Sequence, residues 1–424
     1  MERIKVEIKR LGRVKDSIIE IAPLMVFSGE SGMGKSYLAL LAHYFFDMLI
    51  VSEQTHRLAL FFEEYHYSYK DMVKDSLGQG VALAISKADI VSWMEKDAIS
   101  YLRYMLNSDS LEGEIKITLP STVPDEIKMS FQEDVSGLVN REDKGVILSI
   151  GDIGYRVSRS TINVITPFAF VLSAYLTNCL FGNVNAIRST FNMPPSRGPV
   201  LSENVVANSG MYKDFIADVT ELSNVQSSPK SVSTSLLEEL YTIMEGEVKK
   251  LDNKFVYLTN GISMPISAAA SSIREIAPLQ ILVTRWNIGQ TALLIEEPEA
   301  HLHPNKQRMM ADVVGCIHQT GAYVHLTTHS DYFLRRMNEL LLFQRYADNH
   351  SMEETAALSE KTGIKLTFSI REKDVVGYLV QRQEDGTSQV IRQELDDGVP
   401  FSSFSDAVKE SIRVNDLLEE ALGL

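Results

Sequence analysis

Apolar and polar positions alternate at the start of the chain, where Ile4, Val6 and Ile8 are separated by charged residues. This alternation predicts a half-buried β-strand, and residues 18–21 are expected to be its hairpin partner. The wholly apolar run at 24–27 predicts a buried strand, and the apolar stretch at 37–50 predicts a helix. We therefore expect residues 1–51 to form one lobe built on three strands and a helix.

The pattern becomes more polar over residues 52–145, with helical periodicity near 90–106 and a strand-like stretch at 115–119. This change of texture predicts an inserted arm or subdomain. Residues 164–181 carry no charge, but they include polar residues and a proline and fall short of the roughly 20 apolar residues of a membrane span. A buried helix, and no membrane segment, is therefore expected there.

The segments that follow, through residue 254, mix loops and helices. Residues 183–199 and 222–234 are rich in Pro, Gly, Ser and Asn, which predicts surface loops. Residues 235–249 have the periodicity of a helix. We treat 146–254 as a helical and loop region of the same unit.

Strands and helices alternate from residue 255 to residue 350. Short apolar runs predict strands at 255–258, 292–295 and 323–327, and helical periodicity lies at 271–282, 304–318 and 331–342. Such alternation is typical of a parallel α/β sheet. Residues 351–424 add predicted strands at 365–370, 375–380 and 388–395 and a closing helix. The fold class is therefore α/β, a mixed sheet with antiparallel N-terminal strands and a parallel core, carrying an inserted helical subdomain.

Charge and cysteine content narrow the function classes. The net charge of -15 disfavours bulk nucleic-acid binding. One basic run leaves two interpretations open, a solvated strand face or a local DNA patch; it comprises Arg3, Lys5, Lys9, Arg10, Arg13 and Lys15. Cys179 and Cys316 lack the spacing of a disulfide framework or zinc site. The N-terminus also lacks the apolar region of a secretory signal, so a cytoplasmic protein with reduced thiols is expected.

A glycine-rich loop lies between the buried strand and the first helix. It matches G-x-x-x-x-G-K-[ST] in full, with the residues Gly29, Glu30, Ser31, Gly32, Met33, Gly34, Lys35 and Ser36. Glycines let successive N–H groups point at phosphates, and the helix start adds its positive end. Lys35 is expected to neutralise β- and γ-phosphate oxygens and Ser36 to bind Mg²⁺. The sequence therefore predicts ATP and Mg²⁺ as ligands.

A second apolar strand ends in two carboxylates, Glu296 and Glu297. A P-loop nucleoside triphosphatase needs an acidic group across the sheet from the loop. Glu296 is therefore expected to bind Mg²⁺, and Glu297 is expected to act as the general base. His329 ends the next strand and is expected at the γ-phosphate; a hydrogen-bonded loop histidine is the alternative. His301 and His303 are interpreted as a polar turn rather than a metal pair.

Residues 271–275 open a predicted helix with two serines. Hydroxyl and N–H groups at a helix start bind phosphate, here that of a second subunit. A local N-terminal capping box between Ser272 and Glu275 is the alternative interpretation.

Taken in order, several motifs resemble those of the ABC-type ATPases of the OLD/RecF/SMC-like group: GESGMGKS, NMPPSRGP, PISAAASSIRE, LLIEEPEAHLHP and LTTHSDYFL. Within that group, the chain is similar to short AAA-type ATPases of antiphage defence operons, such as the PARIS-type ATPase subunit. The resemblance covers nearly the whole chain and is specific in 24–50 and 255–340. It implies a P-loop ABC-type ATPase head that binds ATP head to tail between two subunits.

The resemblance also implies roles for individual residues. Ser271, Ser272 and Arg274 would reach the γ-phosphate that a partner subunit holds, with Glu297 as hydrolytic base and His329 as switch histidine. Arg197 matches a recurrent arginine without an assigned role. Two positions depart from the group: Ile273 replaces a glycine, and Ser31 replaces a frequent asparagine.

The implied function is that of a slow ATPase that serves as sensor or scaffold of a bacterial antiphage system. It would form a homo-oligomer around ATP and control a separate effector such as a TOPRIM nuclease, because the acidic residues after His329 are scattered pairs. Two alternatives stay open: a RecF-like DNA-binding repair ATPase, and a protein in which ATP is only a structural ligand.

Overall fold

The computed structural model describes residues 2–50, 57–65, 82–133, 145–157, 166–201, 206–225, 234–251, 254–395 and 402–422. The strands in this part of the chain are β1 (Lys5–Leu11), β2 (Val14–Glu20), β3 (Leu24–Gly29), β4 (Ala82–Ser86), β5 (Gly113–Thr118), β6 (Glu126–Glu133), β7 (Val146–Ile150), β8 (Ile153–Val157), β9 (Ser189–Met193), β10 (Glu247–Leu251), β11 (Lys254–Thr259), β12 (Ile262–Pro265), β13 (Thr291–Glu296), β14 (Tyr323–Thr328), β15 (Val375–Arg382) and β16 (Ser388–Arg392).

The α-helices in the same ranges are α1 (Lys35–Asp47), α2 (Arg57–Glu64), α3 (Lys87–Leu106), α4 (Thr166–Phe181), α5 (Gly210–Asn224), α6 (Thr234–Met244), α7 (Ser271–Arg285), α8 (Pro304–Gln319), α9 (Asp331–Asn349), α10 (Met352–Thr362) and α11 (Ser402–Leu422).

The largest sheet of the described strands has the order β5-β1-β2-β16-β15-β3-β14-β13-β9. From β9 to β15 neighbouring strands run parallel, whereas β1 is antiparallel to both of its neighbours. The predicted mixed sheet, with antiparallel N-terminal strands and a parallel core, is confirmed. The carboxyl ends of β3, β13 and β14 therefore meet at one edge.

Apolar cores lie on both faces of this sheet. Along β3, Met25 and Phe27 belong to one core, and Leu24 and Val26 belong to the other. Every residue of β3 and β13 is buried. A strand covered on both faces has a continuous apolar sequence, which is why both runs stood out without alternation.

The segment predicted as an inserted arm is joined to the main sheet. Its strand β5 pairs with β1, so residues 113–118 form the sheet edge. A separate four-stranded sheet has the order β4-β6-β7-β8. This sheet crosses the predicted boundary at residue 145, because β7 and β8 lie beyond it.

Three local predictions are wrong. The predicted helix at 235–249 ends at Met244, because Glu245 takes a positive φ of 55° and β10 follows. The predicted loop at 183–199 contains β9, an edge strand with a weak apolar pattern. The predicted strand at 365–370 contains a 3-10 turn, Leu366–Phe368, in which Phe368 is buried. Of the predicted loop at 222–234, residues 226–233 lie outside the described part of the chain.

Helix α4 corresponds to the uncharged stretch of the sequence. It buries Phe168, Ala169 and Leu172 in the core beside α1, as a core helix does. No helix in the described ranges has the length and apolar character that crossing a membrane requires.

Candidate nucleotide site

The glycine-rich loop lies between β3 and α1, as the sequence predicted. Gly29, Gly32 and Gly34 have φ values of 125°, 74° and 102°, a region that side chains disfavour. A Cβ atom on Gly29 would lie 2.3 Å from the carbonyl oxygen of Val380 on β15. The loop thus passes close against the neighbouring strand, and only glycine fits there.

Lys35 lies at the start of α1 with its ammonium group turned into the loop. Nζ donates to the carbonyl oxygens of Gly29, at 2.9 Å, and Glu30, at 2.7 Å. Burial lowers the pKa of Lys35 to about 8, although Glu297 and Glu296 act in the opposite direction. A triphosphate would add negative charge beside this buried ammonium, whose two hydrogen-bond acceptors named here are neutral carbonyl oxygens.

Ser36 contacts the acidic end of β13. Its Oγ donates to Oε2 of Glu296 at 2.5 Å, and Oε1 of Glu296 is buried with no hydrogen-bond partner among the described residues. Burial raises the pKa of Glu296 from 4.5 to about 7. A buried carboxylate oxygen beside a hydroxyl offers the hard oxygen ligands that Mg²⁺ takes, together with substrate phosphates. The residues present therefore fit a magnesium ion.

The raised pKa of Glu296 predicts a pH-dependent cost to stability when no metal is bound. Between about pH 4.5 and pH 7 the folded state binds the proton that the unfolded state releases, so stability falls as the pH rises. Above that window, we expect Glu296→Gln to be more stable than wild type by on the order of 3 kcal/mol. Urea unfolding without Mg²⁺ or nucleotide measures this difference.

The difference between Glu296→Gln and wild type should shrink towards zero below about pH 4.5, where both the folded and the unfolded state of wild type carry the proton. Glu245→Gln is the control, because the Glu245 side chain is 69% exposed and is paired with Lys306 rather than with Glu296. An equal gain for Glu296→Gln at low and high pH would contradict the assignment.

Glu297 and His329 face each other at the carboxyl ends of β13 and β14. The imidazole Nε2 of His329 lies 3.7 Å from Oε1 of Glu297. Glu297 has a positive φ of 47°, and its N–H donates to the carbonyl of Thr327 at 3.0 Å. Burial and the nearby Lys35 lower the pKa of His329, and Glu297 opposes them. A neutral imidazole beside a carboxylate suits hydrogen bonding to water or to a phosphate oxygen.

A cavity of about 320 Å³ connects these groups. It is lined by the phosphate loop, the ends of β13 and β14 and the β1–β2 turn; the lining residues are Gly12, Arg13, Ser31, Gly32, Gly34, Lys35, Ser36, Tyr37, Glu296, Glu297, Thr327 and His329. No motif in the sequence predicts a role in this site for four of these residues: Gly12, Arg13, Tyr37 and Thr327. Arg13 had appeared only as part of the basic run, and no local motif connects that hairpin to the loop.

Glu299 holds the turn beneath His329. It is 7% exposed, and its Oε1 accepts from Oγ1 of Thr328 and from the N–H of His329, both at 2.8 Å. Burial raises its pKa. Glu299 thus fixes the backbone that presents the histidine.

Ser271, Ser272 and Arg274 are not among the residues that line the cavity. They lie on the first turn of α7, where Ser271 is exposed and Ile273 is buried. The alternative capping box is wrong: the N-cap residue is Ala270, with no side-chain cap bond. The carboxylate of Glu275 instead accepts from the backbone N–H groups of the loop at Arg197 and Gly198.

His303 caps α8, with its ring Nδ1 accepting from the N–H of Asn305 at 3.4 Å. In the described ranges, no group of three or more His, Cys, Asp or Glu residues is arranged to hold a metal. The position of His303 at the helix start is that of a residue in a polar turn.

Residues 200–334 match the family model described as AAA ATPase domain. This match supports an ATPase of the AAA type. The matched segment contains Glu296, Glu297 and His329, and the cavity adds the phosphate loop from outside it. No curated protein matches the chain.

Several solved structures of SMC heads are similar to the chain at low identity. An SMC head bound to the C-terminal winged-helix domain of ScpA is 11% identical, covers 93% of this chain and 98% of its own, and has a TM-score of 0.39. The SMC head domain from Thermotoga maritima is 10% identical, covers 93% and 100%, and has a TM-score of 0.35. An SMC head with an extended coiled coil from Pyrococcus furiosus is 12% identical, covers 97% and 100%, and has a TM-score of 0.39.

Proposed function

We propose that the chain binds ATP with Mg²⁺ in this cavity and hydrolyses it slowly to ADP and phosphate. One observation carries the proposal: Oγ of Ser36 donates to Glu296 at 2.5 Å across 260 residues of sequence. That contact joins the phosphate loop to the acidic end of β13, and a P-loop nucleoside triphosphatase requires both parts.

Each residue has a defined task in the proposed reaction. Lys35 and the loop amides bind the β- and γ-phosphates, and Ser36 and Glu296 would hold Mg²⁺, which neutralises phosphate charge when bound. Glu297 accepts a proton from a water molecule while the oxygen of that water bonds to the γ-phosphorus. The bond between the γ-phosphorus and the bridging oxygen breaks, and that oxygen leaves with ADP. His329 hydrogen-bonds the γ-phosphate or this water from the opposite side.

The proposed active unit is a homo-oligomer in which one subunit's α7 faces the cavity of another. Ser271, Ser272 and Arg274 lie near a helix start outside their own chain's cavity, which supports this arrangement. Hydroxyls and N–H groups there suit a phosphate from a second molecule.

Mixing two inactive variants tests this arrangement. Lys35→Ala and Arg274→Ala should each be inactive alone, because every site of either homodimer is defective. Mixing them should restore about a quarter of wild-type hydrolysis, since half the dimers are mixed and one of their two sites is intact. ATP hydrolysis at equal total protein measures the effect. No recovery after subunit exchange, shown with differently tagged chains, would contradict the shared site.

We further propose that this cytoplasmic ATPase is the sensor or scaffold subunit of an antiphage system with a separate effector. Support comes from the sequence resemblance and from the described ranges, in which no group of three or more His, Cys, Asp or Glu residues could form the metal site of a nuclease. Co-purification with the product of the neighbouring reading frame tests it. Binding that depends on ATP and is lost in Lys35→Ala supports the proposal, and a partner-free chain with an unrelated neighbour refutes it.

The alternative is a DNA-binding repair ATPase, and the basic N-terminal run bears on it. Lys9 pairs with Glu114 at 2.5 Å, and Arg10 pairs with Glu112 at 2.7 Å. These acids lie on and beside β5, so much of the run's charge is compensated within the chain. We therefore expect only weak DNA binding at physiological salt, in the range of non-specific binders, about 10⁻⁴–10⁻⁶ M. Fluorescence anisotropy with duplex DNA across a salt series measures it, and tight ATP-dependent binding would favour the alternative.

A further inference from the structure

Arg197 lies between β9 and α5 and is the buried hub of a hydrogen-bond network around the acidic turn. Its side chain is 3% exposed. Nη1 donates to the carbonyl oxygens of Pro194, at 3.1 Å, and Glu296, at 2.8 Å, and Nη2 lies 3.5 Å from that of Glu297. The guanidinium therefore binds the backbone of the two residues whose side chains face the nucleotide cavity, without lining that cavity itself.

The same residue is bound to the first turns of α7. Nε of Arg197 donates to the backbone carbonyl of Glu275 at 2.8 Å. The carboxylate of Glu275 accepts the N–H of Arg197 at 2.9 Å and that of Gly198 at 3.1 Å. Because Glu275 immediately follows Arg274, this clamp fixes the helix turn that presents Ser271, Ser272 and Arg274.

The loop at Arg197 and Gly198 packs tightly against α7. A Cβ atom on Gly198 would lie 2.9 Å from Cβ of Arg274 and 3.0 Å from Oε1 of Glu275. Even one added methyl group would therefore push the loop and the helix apart.

We propose that Arg197 is a positioning residue that couples the acidic turn at Glu296 and Glu297 to the first turn of α7. The carboxylates of Glu296 and Glu297 act on the nucleotide bound in the same subunit, and the first turn of α7 faces a nucleotide bound in a second subunit. Arg197 thereby fixes the position of these two groups relative to each other. This inference rests on the proposed function. A planar guanidinium reaches the carbonyls of Glu296 and Glu275 at once from fixed directions. A lysine ammonium is a single donor centre and cannot span both acceptors.

The experiment compares Arg197→Lys with Arg336→Lys as a matched control. Arg336 is also buried and ion-paired, to Asp312 at 2.7 Å, but it joins α9 to α8 away from the cavity. For each variant we would measure the unfolding midpoint, ATP affinity with a fluorescent analogue, kcat, and hydrogen exchange at amides 272–276 with and without Mg²⁺-ATP.

We expect Arg197→Lys to reduce kcat by about 10-fold or more while ATP affinity changes by less than about threefold, because it misplaces groups that act after binding. Arg336→Lys should lose a similar amount of stability and keep its kcat. Gly198→Ala, which leaves the guanidinium intact, should also reduce kcat selectively. In wild type, Mg²⁺-ATP should change exchange at 272–276, and this response should be lost in Arg197→Lys.

The outcomes separate this inference from the proposed function. Hydrolysis by wild type with equal kcat losses in Arg197→Lys and Arg336→Lys would overturn the inference alone. If wild type binds ATP without hydrolysing it, hydrolysis is refuted and the exchange response decides: its loss in Arg197→Lys supports the coupling, and its persistence overturns it. If wild type does not bind ATP, both fail.

Discussion

Glu297→Gln is expected to reduce kcat for ATP hydrolysis by about 10²–10⁴-fold, the usual contribution of a positioned general base. Glutamine keeps the shape of the side chain but cannot take the proton from the attacking water. ATP binding should persist, because Glu297 carries none of the loop contacts to phosphate. Phosphate release measures hydrolysis, and filter binding with labelled ATP measures affinity.

Glu245→Gln serves as the control for this change, since Glu245 is an exposed glutamate paired with Lys306 away from the cavity. Its hydrolysis rate should equal that of wild type. Tight ATP binding by a wild-type protein without turnover, unchanged in Glu297→Gln, would instead make ATP a structural ligand.

Lys35→Ala is expected to weaken ATP binding by about 10²-fold, as the loss of a charged hydrogen-bond donor to phosphate costs about 3 kcal/mol. Isothermal titration with ATP and Mg²⁺ measures the change. The alanine also removes the bonds to Gly29 and Glu30, so the variant's unfolding midpoint must be measured alongside.

Lys249→Ala is the matched control for this second prediction, because Lys249 pairs only with Glu247 on the exposed side of β10 in the described contacts. Unchanged ATP affinity in a folded Lys35→Ala protein would contradict the assignment of the loop.

The parts of the site that the sequence predicted are those written in local patterns. The glycine-rich loop requires positive φ angles at fixed spacings, so the positions of Gly29, Gly32 and Gly34 in the sequence are enough to predict it. The acidic end of β13 follows an uninterrupted apolar run, and the parallel arrangement brings that end beside the loop. The glycine spacing was therefore enough to locate Lys35 and Ser36, and the end of the apolar run was enough to locate Glu296.

The parts that the sequence did not predict depend on contacts between distant segments. The carboxylate of Glu275 had a plausible local partner in Ser272, yet it binds the backbone at Arg197, 78 residues away. Arg13 reaches the cavity only because a hairpin at the far side of β15 folds over the loop. Strand β5 pairs with β1 although about a hundred residues separate them, and no periodicity within either strand specifies its neighbour.

The position of β3 between β14 and β15 has a consequence for how the molecule is made. Strand β3, which leads into the phosphate loop, is synthesised long before its neighbour β15, which ends at Arg382. Gly29 packs directly against Val380 of that late strand. On the ribosome, the phosphate loop is therefore synthesised long before β15, the strand against which it packs. Pairing between strands so distant in sequence makes folding slow. Nascent chains that stop before β15 should not bind nucleotide, so ATP binding requires that β15 has been synthesised.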